Sequence, residues 1–403
     1  MRIERISADK LAREFGTPLY VYSRAAILAR WERLAAEFRR PGTLACYALK
    51  ANPNRSVCRI LARAGAGAEV VSGGELARAR AAGFAPGRIV FSGVGKTEAE
   101  MAAALRAGIL TMNVESEEEL AALGRVARRL RRPAPFSIRL NPDVKAHTHP
   151  HVSTGRAENK FGVDEAAAVA MARRSRRDRW LRFQGLQCHI GSQIHELAPL
   201  CRAAQAMSGA LRRLQAAGLT ISLIDMGGGI GISYAGEAEL DCGRLARYFT
   251  RVFSPWPQAR LLLEPGRYLV ADAGILLTRV LYRKHTSQRR FVVVDAAMND
   301  LARPALYGAY HPVSPTQPRR GPRRRVDVVG PVCESGDFLA RQRLLPPVRP
   351  GDILAVHKAG AYGFAMSSQY NSRPRAAEVL VSDGRASLAR RRESLADLVR
   401  DEI

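Results

Sequence analysis

Between residues 24 and 275, short apolar runs alternate with longer amphipathic stretches, and no other property of this 403-residue chain restricts its fold as much. Eight runs read as strands: Leu44–Leu49, Ala68–Ser72, Ile89–Ser92, Thr111–Val114, Phe136–Leu140, Gly185–Ile190, Leu223–Met226 and Arg260–Leu263. Runs this short and this apolar suit strands covered on both faces, as in a parallel sheet wrapped by helices. The stretches between them are rich in Ala, Leu and Arg at helical spacing. Ile27, Trp31, Leu34 and Phe38 share one helix face before the first strand, and the Ala-rich segments 98–107 and 164–174 repeat the pattern. Gly83 and Gly108 supply stop signals.

Eight strands joined by helices over about 250 residues match an α/β fold of the closed type, a (β/α)8 TIM-like barrel. An open doubly wound sheet is the structural rival, but the Gly-x-Gly-x-x-Gly turn it favours after its first strand is missing. A barrel carries its functional residues at the C-terminal ends of the strands. After residue 275 the texture changes. Ile275–Leu281, Arg290–Asp295, Arg325–Val329, Ile353–Lys358 and Glu378–Ser382 read as strands separated by Pro/Gly turns, and Pro315–Arg325 reads as a loop. The expected organisation is a barrel over 24–275 and a β-rich domain formed by 1–23 and 276–403. In it, the strand-like Pro18–Tyr22 joins the C-terminal strands.

Composition bears on location and partners. With 47% hydrophobic and 25% charged residues there is ample material for a core. No run of 18 apolar residues occurs and the N-terminus lacks a signal-peptide core, so a cytoplasmic protein with no membrane association is expected. The six cysteines are scattered without a C-x-x-C pair, which suggests neither a zinc site nor a disulfide framework. Cys46 and Cys188 read as core, whereas Cys333 sits in a loop context. The formal net charge is +26, and only seven of the 63 basic residues are lysine. Arginines cluster at Arg128–Arg132, Arg173–Arg179, Arg319–Arg325 and Arg390–Arg392. No helix-turn-helix, zinc finger or aromatic RNA-binding signature accompanies them, which argues against a nucleic-acid partner. They read as solvated faces whose field can help attract an anionic ligand.

The strand ends carry the chemistry. Strand one ends in Lys50, and strand six in Cys188-His189-Ile-Gly191-Ser192. Strand seven ends in Asp225-Met-Gly227-Gly228-Gly229-Ile-Gly231, and strand eight in Glu264-Pro265-Gly266-Arg267. Each run has a plain reading. A strand-end lysine can snorkel, glycines serve tight turns, a lone histidine is often structural, and Glu-Pro-Gly-Arg can be a turn with a salt bridge. Placed together on one rim they read differently. Consecutive glycines let backbone amides approach an anion, with Gly266 and Arg267 completing the cradle. His189 can stack on a ring, Glu264 can keep a ring nitrogen protonated, and a lysine amine captures an aldehyde. A phosphate, a basic aromatic ring and an aldehyde together describe pyridoxal 5'-phosphate.

Several motifs, in this order along nearly the whole chain, resemble those of the fold-type III pyridoxal-phosphate decarboxylases. They are Tyr47-Ala-Leu-Lys50-Ala-Asn-Pro53, Val70–Glu75, Arg139–Asp143, Thr148–Val163, His189–Ser192, Gly227–Gly229 and Glu264–Arg267. Within that family the chain is most similar to the diaminopimelate decarboxylases. This likeness rests on Thr148–Gly155 with Asn159–Gly162, Met298–Tyr307, Cys333-Glu334, and Gly360–Tyr362 with Tyr370-Asn371. The resemblance implies a barrel of the alanine-racemase type with a β-rich C-terminal domain. It also implies decarboxylation of meso-2,6-diaminopimelate to L-lysine, the last step of lysine biosynthesis.

Carried over position by position, Lys50 is the Schiff-base lysine and His189 the ring-stacking residue. Gly228, Gly229, Gly266 and Arg267 hold the phosphate region, with Ser192 and Tyr362 as further candidates, and Glu264 faces the pyridine nitrogen. Arg267, Arg303, Tyr307, Glu334 and Tyr362 bind the substrate's distal end, and Cys333 returns a proton to the carbanion. Cys333 and Glu334 act in the neighbouring subunit's site, so a homodimer with shared active sites is implied. Two positions depart from the family pattern: Glu69 stands where aspartate is usual, and Tyr268 where a small residue is frequent. The alternatives are a sister decarboxylase acting on another free or carrier-protein-tethered amino acid, and a decayed homologue acting as a partner protein. The intact Lys50, His189, Glu264 and Cys333 argue against the second.

Overall fold

The computed structural model describes residues 1–144 and 160–403. By internal contacts the chain divides into two compact units. One comprises Trp31–Ile232 and Ala238–Gly266, the other Met1–Arg30, Ser233–Glu237 and Arg267–Ile403.

The first unit is a closed barrel of eight parallel strands. In order around the barrel they are Leu44–Ala48, Gly67–Val70, Ile89–Phe91, Thr111–Val114, Ala134–Arg139, Leu181–Gln187, Leu223–Asp225 and Arg260–Leu263. Closure is direct, with Leu262 opposite Leu44. All eight overlap the runs read from sequence, because strands covered on both faces carry apolar stretches, although the sixth, expected at Gly185–Ile190, runs from Leu181 to Gln187. The helices start where side chains cap them. Thr97 and Glu100 form a reciprocal capping box before Glu98–Ala107, and Ser72 accepts from the Glu75 amide before Gly73–Ala82. Gly83 and Gly108 close these helices in the left-handed region, with φ of +95° and +73°. Low in the barrel, Leu44, Cys46, Val90, Leu223 and Leu262 pack together. Towards the C-terminal ends the buried residues turn polar, with Glu69, Asn113, Gln187, Asp225 and Glu264 all enclosed.

The second unit is built on a nine-stranded sheet. Its strand Leu19–Ser23 lies between Gly274–His285, antiparallel, and Ala377–Ser382, parallel. The segment expected to join the C-terminal strands therefore sits inside their sheet. Leu11, Leu19, Val21, Leu277, Ala355 and Val379 form its core. Three strands of this sheet were not expected from sequence, Val313–Pro315, Phe338–Leu345 and Arg385–Arg390, nor was the separate pair Arg2–Ile3 and Ile6–Ser7. The expected Pro/Arg-rich loop accordingly narrows to residues 316–323. The arginines of 128–132, 173–179 and 319–325 are exposed, whereas Arg392 is partly buried and donates to the Pro18 carbonyl at 2.7 Å. Cys46 and Cys188 are buried and Cys333 is exposed.

Candidate active site

The first barrel strand runs into a tight turn, Leu49–Ala51, that delivers Lys50 to the rim. Its Nζ lies 2.8 Å from Oε2 of Glu69, whose side chain is 1% exposed against 38% for the lysine. The longer arm of glutamate at this position thus reaches the lysine directly. A buried carboxylate beside a half-open amine holds the amine at a fixed point while leaving it accessible.

The glycine run follows strand seven. A Cβ at Gly228 would fall 2.2 Å from the Glu264 carbonyl oxygen, and one at Gly229, where φ is +103°, 2.4 Å from that of Gly191. Only glycine permits this approach. The Gly228 amide donates to Nδ1 of His189 at 3.2 Å, which assigns the ring proton to Nε2. Burial, then the charges of Arg139 and Lys50, push His189 well below the ordinary histidine range, so the ring is neutral. Gly266 fits against Ala48 and Ala51, and Ser192 is half-buried just beyond strand six.

Glu264 follows strand eight with one carboxylate oxygen 3.2 Å from Nε2 of Gln187. Its other oxygen is buried, and the carboxyl also shares a hydrogen bond with that of Asp225. Asp225, at the end of strand seven, accepts from the Gly227 amide at 2.9 Å and is also fully enclosed. Burial raises both acids above the carboxylate range, and for Glu264 repulsion from Asp225 and Glu69 adds to it.

A second cluster belongs to the β-rich unit. Arg267 and Arg303, both buried, donate to the same Tyr234 hydroxyl at 3.2 and 3.0 Å. Tyr362 lies with its ring 4.8 Å from the Arg267 guanidinium and is itself in the left-handed region, with φ of +55°. Tyr307 ends the short helix Arg303–Tyr307, close enough to Arg267 to stabilise its charge. Nη1 of Arg303 also meets Nε2 of His311 at 2.8 Å. Tyr268 is buried, with Arg30 over its ring at 5.2 Å.

Cys333 and Glu334 are exposed on a loop whose flanks are pinned. Buried Asp337 accepts from the Val332 and Met298 amides, each at 2.7 Å, and the Cys333 amide donates to Asn371 at 2.9 Å. Glu334 binds the Tyr370 hydroxyl and raises its pKa. Of the sequence motifs, Thr148–Gly155 and Asn159 lie outside the described residues. Phe161 and Gly162 lie inside: the Gly162 amide donates to Glu115 at 3.0 Å, and Arg139 covers the Phe161 ring at 4.7 Å. Sequence reasoning missed Tyr234, His311, Asp225 and Gln187. The lone histidine and tyrosine carried no motif, and Asp225 was read only as the start of the glycine run.

The barrel-rim residues fit pyridoxal phosphate. They offer a reachable lysine amine, a glycine run open to an anion, a neutral imidazole and a buried carboxyl group. Residues 24–271 match the family described as "Pyridoxal-dependent decarboxylase, pyridoxal binding domain". The chain is 49% identical to a diaminopimelate decarboxylase of Pseudomonas aeruginosa, over 99% of this chain and 96% of that one. It is 46% identical to another from Vibrio cholerae, over 98% and 94%. The crystal structure of the Helicobacter pylori diaminopimelate decarboxylase complexed with L-lysine superposes with a TM-score of 0.94 at 42% identity, covering 97% of this chain and 98% of that one. The chain therefore belongs to the diaminopimelate decarboxylases, within the pyridoxal-dependent decarboxylases.

Proposed function

We propose that the protein removes CO2 from meso-2,6-diaminopimelate to give L-lysine, with pyridoxal 5'-phosphate as cofactor. The observation that carries the substrate choice is Arg303. Its side chain is buried at 7% exposure, yet its hydrogen-bond partners among the described residues are a phenol and an imidazole. A buried cation held by neutral groups is costly until an anion joins it. Substrates of the ornithine type bring only an ammonium to the far end, which two guanidiniums repel. Diaminopimelate brings a carboxylate as well, which Arg303 can grip in a fork geometry. Tyr307 adds a hydroxyl, and Glu334 pairs the distal ammonium.

Bound pyridoxal phosphate supplies an electron sink for the pair left when CO2 departs. Lys50 anchors the cofactor, and the glycine run, Gly266, Arg267, Ser192 and Tyr362 hold its phosphate end. His189 supports the ring with a neutral face. Glu264 holds the proton at the ring nitrogen, steadied by Gln187. Cys333 delivers a proton to the carbon that lost CO2. We read Cys333 and Glu334 as serving the site of a partner protomer in a homodimer, and their exposure on a pinned loop supports this. The expected setting is the cytoplasm. Among the described residues no helix is long and apolar enough to cross a membrane, and none of the six cysteines is in a disulfide.

The test is CO2 release and product identity from cofactor-loaded protein given meso-diaminopimelate, with ornithine, lysine and arginine as controls. Lysine formed from diaminopimelate alone is the expected result. Turnover of a control amino acid in its place would overturn the substrate assignment.

A further inference from the structure

We propose that Tyr234 and His311 are specificity-determining positioning residues that fix the Arg303 guanidinium with its Nε–Nη2 edge open to a substrate carboxylate. The inference rests on the reading of Arg303 as the distal carboxylate receptor and adds how that receptor is built.

A guanidinium has five N–H donors, two of them on Nη1. Both Nη1 donors of Arg303 are committed, to the Tyr234 hydroxyl at 3.0 Å and to His311 Nε2 at 2.8 Å. Nδ1 of His311 lies 2.9 Å from the His357 carbonyl oxygen, which can only accept. The ring proton is therefore on Nδ1, and Nε2 presents its lone pair to the arginine. His311 is 0% exposed, and burial, then the charge of Arg303, lowers its pKa to about 3. It stays a neutral acceptor throughout the working range. The Tyr234 ring meets the His311 ring edge-on, with centroids 5.4 Å apart at 77°, so the two partners brace each other.

Among the described residues Arg303 makes no other hydrogen bond. Three N–H groups, one on Nε and two on Nη2, remain for a ligand. That edge matches the two oxygens of a carboxylate with parallel bonds. The neutrality of the braces is the point. An aspartate in either place would orient the guanidinium equally well but cancel its charge, and the pocket would lose its preference for an anionic end.

The test uses cofactor-loaded enzyme and steady-state kinetics on meso-diaminopimelate for wild type, Tyr234→Phe, His311→Leu and His311→Gln. Glutamine can present an oxygen where Nε2 stood, so it separates the acceptor from mere volume. The expected result for His311→Leu is a KM raised about tenfold or more, with kcat within about threefold, the pattern of lost uniform binding. Tyr234→Phe should shift KM in the same direction, and His311→Gln should stay within about threefold of wild type. The absorbance of lysine-bound cofactor should be unchanged in both His311 variants. A wild-type KM in His311→Leu, or equal impairment in the Leu and Gln variants, would overturn the proposal. If His311→Leu fails to fold, a wild-type KM in Tyr234→Phe overturns it alone. Wild-type protein inert towards diaminopimelate would instead sink the functional reading, and this inference with it.

Discussion

Lys50 and Cys333 do different work and should fail differently. Lys50 is held at 2.8 Å by Glu69 and, in the proposed mechanism, anchors the cofactor. Lys50→Ala should therefore lose both the absorbance of lysine-bound cofactor and turnover, and a variant that kept either would remove Lys50 from that role. Cys333 is exposed on its loop, and in the proposed mechanism it acts only at reprotonation. Cys333→Ala should bind cofactor normally and slow turnover by roughly 10²–10⁴-fold, the range for a missing proton donor. Unchanged kcat would exclude it. Both residues are proposed from sequence alone, because each sits in a local motif. Tyr234 and His311 are not. Their meaning lies in contacts made 69 residues apart, between Tyr234 and Arg303, and in a neutral tautomer set by a backbone carbonyl.

At the scale of elements, the barrel strands were readable and the edges of the second sheet were not. Phe338–Leu345 and Arg385–Arg390 lie at the two ends of that sheet; the first is largely exposed after Ala340, no residue of the second is fully buried, and each carries two arginines. Edge strands face water along one side and carry charge there, which hides the apolar signal. The turn that precedes the helix Arg303–Tyr307 holds another feature invisible in sequence. Asp300 is 1% exposed, accepts from the Ala297 amide at 3.0 Å, and is pushed by burial to about 7. Between an unfolded value near 4 and that folded value, the native chain keeps a proton the unfolded chain has lost. Stability from this group is thus complete below pH 4 and is lost as pH rises to 7, by up to about 4 kcal/mol. Asp300→Asn keeps the acceptor without the titration. Denaturant unfolding should find the variant gaining on wild type from pH 4 to 7 and level beyond. A pH-independent difference would refute the assignment.

For the whole molecule, the proposed shared sites make a quantitative demand. Lys50→Ala and Cys333→Ala protomers, each inactive or slow alone, should recover activity when mixed and allowed to exchange. In a mixed dimer one site collects both lesions and the other collects none, so an equal mixture should regain about a quarter of wild-type activity. No recovery despite exchange would mean that each chain completes its own site. The second unit also dictates an order of events during synthesis. Leu19–Ser23 leaves the ribosome early, yet its two sheet neighbours, Gly274–His285 and Ala377–Ser382, are made roughly 250 and 350 residues later. At about 5–20 residues per second, an apolar strand with both edges unpaired persists for some tens of seconds. A nascent chain of this design needs cover over Leu19–Ser23 until Ala377–Ser382 has been translated.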